Sequence, residues 1–342
     1  MQITLKNKKI LPLMQGGMGV GVSLSGLAGN MALNNAIGTI SAVNIGYREK
    51  DFWNNSLEAN LRALRNEIKK AREISKEKGL IAVNIMTAIN NYDEMVKCAA
   101  EEKIDIIVSG AGLPLHLPSL VDENILIAPI VSSKRALSVI VKTWKKRYNR
   151  FPDLVVVEGP LAGGHLGFNN DDLKESSLKE IVKDVKEYVN SLKDEINKKI
   201  YVFAAGGIRD KKDRNEIMDS GADGIQVATP FIVSEECDAH INFKKEIVNS
   251  KDSDIKIINS PVGMIARAVE NKFVKSLNER IAPTKCIRCL KTCNPATTPY
   301  CITEALNNSV MGVDGLVFSG YGIDKINKIE PLKKIIDRLM EE

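Results

Sequence analysis

The amino-acid sequence predicts an α/β fold, a TIM-type (β/α)8 barrel with a C-terminal extension, and two patterns carry that prediction. Eight short apolar segments rich in β-branched residues recur between positions 11 and 228, and helical patterns with one apolar stripe fill most of the gaps. Continuous apolar strands covered by one-sided helices are what a parallel sheet requires. Length agrees, because 342 residues exceed the roughly 250 that such a barrel uses. The barrel is assigned to 1–240, and 241–342 to the last barrel helix and an extension. An open doubly wound sheet would give the same alternation and is the alternative.

Taken in order, the strand segments are 11–15, 38–42, 80–85, 104–109, 126–131, 154–158, 200–205 and 224–228. Between the second and third, Leu57, Leu61, Leu64, Ile68, Ala71 and Ile74 advance by threes and fours, with Ser56 as the expected N-cap. Leu178, Ile181, Val185, Val189 and Leu192 do the same after Ser177. After residue 232 the pattern changes to a helix, an Ile-rich stretch, a cysteine cluster and a final apolar segment, 329–339.

Charge and targeting signals exclude several classes. A net charge of +5, evenly dispersed, is no nucleic-acid footprint. The basic cluster Lys142, Lys145, Lys146 and Arg147, with Arg150 beyond it, reads as a solvated helix face. No apolar run is long enough for a membrane span and the N-terminus lacks a signal-peptide core, so a cytoplasmic protein is expected. Cys98 and Cys237 read as isolated buried thiols, and His116 and His240 as packed or surface residues.

In a barrel the chemistry lies in the loops that follow the strands. The stretch Glu158-Gly-Pro-Leu-Ala-Gly-Gly-His-Leu-Gly167 ends a strand with two glycines and a histidine, which sets bare backbone and a titratable ring against a flat ligand. Ala205, Gly206 and Gly207 after strand seven, and Ala228 and Thr229 after strand eight, form a candidate phosphate site from adjacent loops. Gly17, Gly19 and Gly21 superficially suggest a dinucleotide loop, but the third glycine of that spacing falls on Val22 or Leu24.

The ordered set Gln15-Gly-Gly-Met-Gly19, Asn84-Ile-Met86, Ser109-Gly-Ala-Gly112, Gly163-Gly-His165, Ala205-Gly-Gly207, Gly221-Ala-Asp-Gly-Ile-Gln-Val227 and Ser260-Pro-Val-Gly263 resembles the nitronate monooxygenase family, formerly called 2-nitropropane dioxygenases. The flavin-dependent enoyl-ACP reductases share most of these motifs. The resemblance implies a barrel holding FMN, with its phosphate between the last two strand loops and His165 as the active-site histidine. It implies flavin contacts from Gln15, Gly16, Gly17, Asn84, Ser109, Gly163, Gly164 and Gln226, beside the phosphate loops. One departure concerns the phosphate: many relatives have Gly-Thr-Arg where this chain has Ala228-Thr229-Pro230.

Three functions follow as expectations. An FMN enzyme would oxidise alkyl nitronates with oxygen, or an NAD(P)H-dependent flavin reductase would reduce an enoyl thioester, with the Lys145 cluster suited to an acyl carrier protein. A non-catalytic FMN- or metal-binding barrel is the third. Cys286, Cys289, Cys293 and Cys301 have spacing suited to an iron-sulfur cluster or zinc, similar to the run after the barrel in iron-sulfur relatives of old yellow enzyme, or they are packed thiols.

Overall fold

The computed structural model describes residues 1–196 and 198–341. Eight parallel strands close into a barrel: β1 (Leu13–Gln15), β2 (Ile37–Ser41), β3 (Leu80–Met86), β4 (Ile106–Gly110), β5 (Leu126–Val131), β6 (Leu154–Glu158), β7 (Tyr201–Ala205) and β8 (Gly224–Val227). The ladder from Ile225–Val227 to Leu13–Gln15 joins the last strand to the first, so the open-sheet alternative is excluded.

The barrel interior is one apolar cluster, including Met14, Ile37, Leu80, Ala82, Ile106, Val108, Leu154, Val156 and Phe203. Leu5 and Ile10, from an N-terminal hairpin that pairs Ile3–Leu5 with Lys8–Ile10, join the same cluster and close its lower end. Residues of opposite parity pack outward against the helices, because successive strand side chains face opposite sides.

The helices are α1 (Ser25–Leu33), α2 (Ser56–Ser75), α3 (Tyr92–Glu101), α4 (Lys134–Tyr148), α5 (Leu178–Ser191), α6 (Lys211–Asp219), α7 (Ile241–Asn249), α8 (Ile302–Val310) and α9 (Leu332–Met340). In α2 the buried positions are Ala59, Asn60, Ala63, Leu64, Ile68, Ala71 and Ser75, so the buried stripe is turned from Leu57 and Leu61 toward small residues. Asn55 rather than Ser56 is at the cap position of α2, and Ser177 caps α5 in position without a side-chain bond. Ser133 caps α4 by accepting from Ala136 N–H.

The region after residue 240 does not stand apart from the barrel. Ile255–Asn259 and Ile265–Val269 form a hairpin whose second strand pairs with Gly164–His165 from the β6 loop. Residues 288–291 lie over the β3 loop: Asn90 N–H donates to Cys289 O at 3.0 Å and Lys291 N–H to Ala88 O at 3.0 Å. The final helix α9 buries Leu332, Ile335, Ile336 and Leu339 and packs beside α6, where Arg214 Nη1 donates to Leu339 O at 2.9 Å. A parallel bridge from Ser234 to Glu330 leads into it. The helix α9 thus fills the flank beside α6.

Candidate active site

A cavity of about 480 Å³ opens over the C-terminal ends of the strands, roofed by the β1 loop, α8 and the segment 316–326. Strand parity decides which residues reach it. Positions that continue the inward series of each strand face the cavity, namely Gly16, Ser41, Asn84, Gly110, Glu158, Ala205 and Gln226. Gly17, Gly163, Gly164, His165, Gly206, Gly207, Ala228 and Thr229 line it from the loops.

Two residues expected at the flavin have the opposite parity and lie outside the cavity lining. Gln15 is fully buried; its Nε2 donates to Gly16 O and its Oε1 accepts Thr39 N–H at 2.9 Å, so its amide braces the β1–β2 seam. Ser109 Oγ donates to Ile85 O and meets Tyr92 Oη, both at 2.9 Å, beneath α3. Neither residue lines the cavity.

His165 is held by the hairpin of the extension. Its Nε2 lies 2.7 Å from Ser260 Oγ, and the Phe318 ring meets it edge-on at 5.2 Å between centroids. Ser260 Oγ also accepts Val262 N–H at 3.3 Å. Tyr300, from the extension, donates from Oη to Asn259 O at 3.4 Å, next to the same serine. Burial lowers the His165 pKa to about 4, because an imidazolium would have no water to solvate it.

Glu158, the residue that opens the motif stretch, had no role assigned from sequence. Its carboxyl faces the cavity and is screened from bulk water, and burial raises its pKa to about 7. A hydrogen bond from the Gly167 backbone and the nearby Arg267 oppose that rise. Arg267 is itself buried, donates from Nη1 to Ala162 O, and stacks over Tyr321 at 4.7 Å. Asn84 presents an Oδ1 that is buried and unpartnered in the cavity wall.

The extension contributes the far wall, which motif reading missed. Gly320 N–H donates to Thr229 Oγ1 at 3.1 Å and Tyr321 N–H to Leu161 O at 3.2 Å, so the loop 319–322 bridges the β8 and β6 loops. Sequence offered no signal for this beyond its glycines. His116 pairs with Asp93 at 2.7 Å and His240 caps α7, both away from the cavity.

The four clustered cysteines are not assembled into a ligand set: among the described residues no group of three or more His, Cys, Asp or Glu is placed to hold a metal ion. Cys286 is exposed, Cys289 lines the cavity and accepts from Thr303 Oγ1 at 3.2 Å, and burial raises the Cys289 and Cys301 thiols, Cys301 to about 11. The four are free thiols, with Cys289 in electrostatic reach of Cys286, Cys293 and Cys301, and the backbone of 288–291 pairs with the β3 loop. Cys98 and Cys237 are buried thiols, as expected.

Comparison with known proteins fixes the lineage. The sequence profile of the family described as nitronate monooxygenase matches residues 3–342. The chain belongs to the nitronate monooxygenase family. A protein named "Probable nitronate monooxygenase" from Staphylococcus saprophyticus is 36% identical over 127 residues, 37% of this chain and 34% of that protein. The namesake from Staphylococcus aureus strain Newman is 32% identical over the same length and shares. The chain thus matches about a third of the length of these family members. Among solved structures, FabK from Thermotoga maritima superposes with a TM-score of 0.73 at 24% identity, covering 97% of this chain and 92% of that one. A nitroalkane oxidase from Streptomyces ansochromogenes gives 0.72 at 17%, covering 96% and 94%. At these identities both report a shared barrel. Among the described residues no helix is long and apolar enough to cross a membrane.

Proposed function

We propose that this family member is an FMN-dependent oxidoreductase that oxidises alkyl nitronates with oxygen, and that His165 meets the substrate. The carrying observation is the setting of His165: a ring enclosed at a strand end, facing the cavity and held by Ser260. The bond to Ser260 anchors Nε2 and fixes the ring orientation, and the serine hydroxyl can serve there as donor or acceptor. A neutral imidazole anchored in this way offers its other nitrogen to a bound substrate and stays uncharged across the neutral range.

The cavity suits a flavin. The orphaned Asn84 Oδ1 needs a donor of the kind found along a flavin ring edge, and burial without one costs about 1–3 kcal/mol. Gly206 and Gly207, at φ +102° and +77°, hold a conformation that brings backbone N–H groups close to an anion. Bound FMN supplies the electron acceptor. The chain's own contribution is to orient the substrate at His165 and to exclude water under the extension.

One observation favours a second reading, reduction of an enoyl thioester: the wall above the strands is apolar, with Met18, Val20, Met86, Val262, Met264 and Leu290. Anaerobic mixing of the yellow protein separates the two. A preformed alkyl nitronate is expected to bleach the flavin and NADH to leave it oxidised; bleaching by NADH alone overturns the nitronate reading. Acid release should yield FMN, and recovery of FAD or no flavin would count against the cofactor.

A further inference from the structure

We propose that Arg209 is the cation that binds the cofactor phosphate, an inference that rests on the flavin reading above. The Ala228-Thr229-Pro230 turn after β8 supplies no cation, which leaves a phosphate between the last two loops without a charged partner. The structure offers one from the neighbouring loop. Among the described residues that line the cavity, Arg209 is the one permanently cationic side chain.

Three features place its guanidinium for that task. Arg209 Nε donates to Asp213 Oδ2 at 2.8 Å and Nη2 to Asp213 Oδ1 at 3.2 Å, while the Arg209 backbone N–H reaches Oδ2 at 3.0 Å. This two-pronged clasp fixes the guanidinium plane, and among the described residues Nη1 engages no protein acceptor. Gly322, at φ +91°, lies against the opposite side; a Cβ there would collide with Arg209 Cδ and Nη1, so the loop 319–322 lies flat on the guanidinium. The same loop is tied to Thr229 by the Gly320 N–H. Residues 206–209, 228–229 and 319–322 therefore meet at one end of the cavity, and Arg209 lies at their junction.

The chemistry is that of a phosphate monoester. A guanidinium held by a carboxylate on one edge keeps N–H donors for an anion on another, and charge-assisted bonds of this kind are about twice as strong as neutral ones. The fixed plane means that little rotamer freedom is lost when the anion arrives. Riboflavin shares the ring system and the ribityl chain of FMN and lacks the phosphate, so the difference between the two ligands isolates the contribution of Arg209.

The test uses the full chain with its flavin removed, titrated with FMN and with riboflavin while flavin fluorescence is followed. Wild type is expected to bind FMN more tightly than riboflavin. Arg209→Met should weaken FMN by about 10- to 100-fold and leave riboflavin within about twofold. Arg209→Lys, which keeps the charge and loses the fork, should fall between. FMN affinity in wild type should also drop more steeply with added salt than in Arg209→Met. Unchanged FMN affinity in Arg209→Met, or an equal loss for both ligands, overturns the proposal, the second result marking damage to the loop. Wild type that binds the two flavins equally overturns it while leaving the flavin reading intact; wild type that binds neither removes both.

Discussion

His165 and Glu158 share one cavity with their proton affinities displaced in opposite directions, and burial is the cause of both displacements. Glu158 has a folded pKa of about 7 against an ordinary 4.5, so between those values the folded chain holds a proton that the unfolded chain releases. Stability therefore falls as pH rises through that window, and the loss is complete above it. His165, at about 4 against 6.5, acts in the other direction: the unfolded chain takes up its proton first as pH drops, and stability falls from 6.5 toward 4. Glu158→Gln should make the flavin-free protein more stable at pH 8 by roughly 1–3 kcal/mol and leave it near wild type at pH 4. Urea denaturation at both values checks this; the same difference at each pH would contradict it. His165→Ala should retain FMN and lose on the order of 10²–10³ in kcat with a preformed nitronate. An unaltered rate would remove the ring from the reaction. Side-chain parity explains which candidate residues were legible. Asn84 and Gln226 continue inward series that the apolar pattern of their strands already displays, whereas Gln15 and Ser109, one position out of phase, look the same in a motif but point into the helix layer. Gly206 shows a different limit: a Cβ there would meet Ala162 N at 3.0 Å and Gly159 O at 3.1 Å, so this glycine serves loop packing as well as any ligand.

At the scale of elements, α1 begins without a cap from its own sequence, and residue 238 supplies one from more than 200 positions away. The Asp238 carboxylate accepts from Leu24 N–H at 2.8 Å, Gly26 N–H at 2.9 Å and Leu27 N–H at 3.0 Å. No local pattern could announce this, because capping signatures are read from adjacent residues. Asp238→Ala should lower stability by about 1–3 kcal/mol, since it strands three donors at a largely buried helix start. The urea midpoint reports the change, and a shift no larger than that of a surface substitution would show that water takes over. The hairpin 255–269 has a similar long reach. Its turn, Ser260-Pro-Val-Gly263, was visible as a motif, but its partner was not: only the pairing of Ala266 with His165 brings the serine to the ring.

For the whole molecule, the barrel was legible because its eight strands repeat one physical pattern, and the observed bounds differ from the expected ones by at most two residues. The path of the last hundred residues was not, since its contacts run between distant segments with no shared period. The clearest case is α9. Its four buried apolar side chains contribute roughly 1.5–3 kcal/mol each as an upper range, comparable together with the whole stability of a typical domain. A chain ending at residue 329 should accordingly be digested by protease under conditions in which the full chain resists, and equal resistance would show that α9 is dispensable. This placement also bears on synthesis. Synthesis runs from the N-terminus, so the flank beside α6 stays bare until residues 332–340 have left the ribosome, long after the eight strands have emerged.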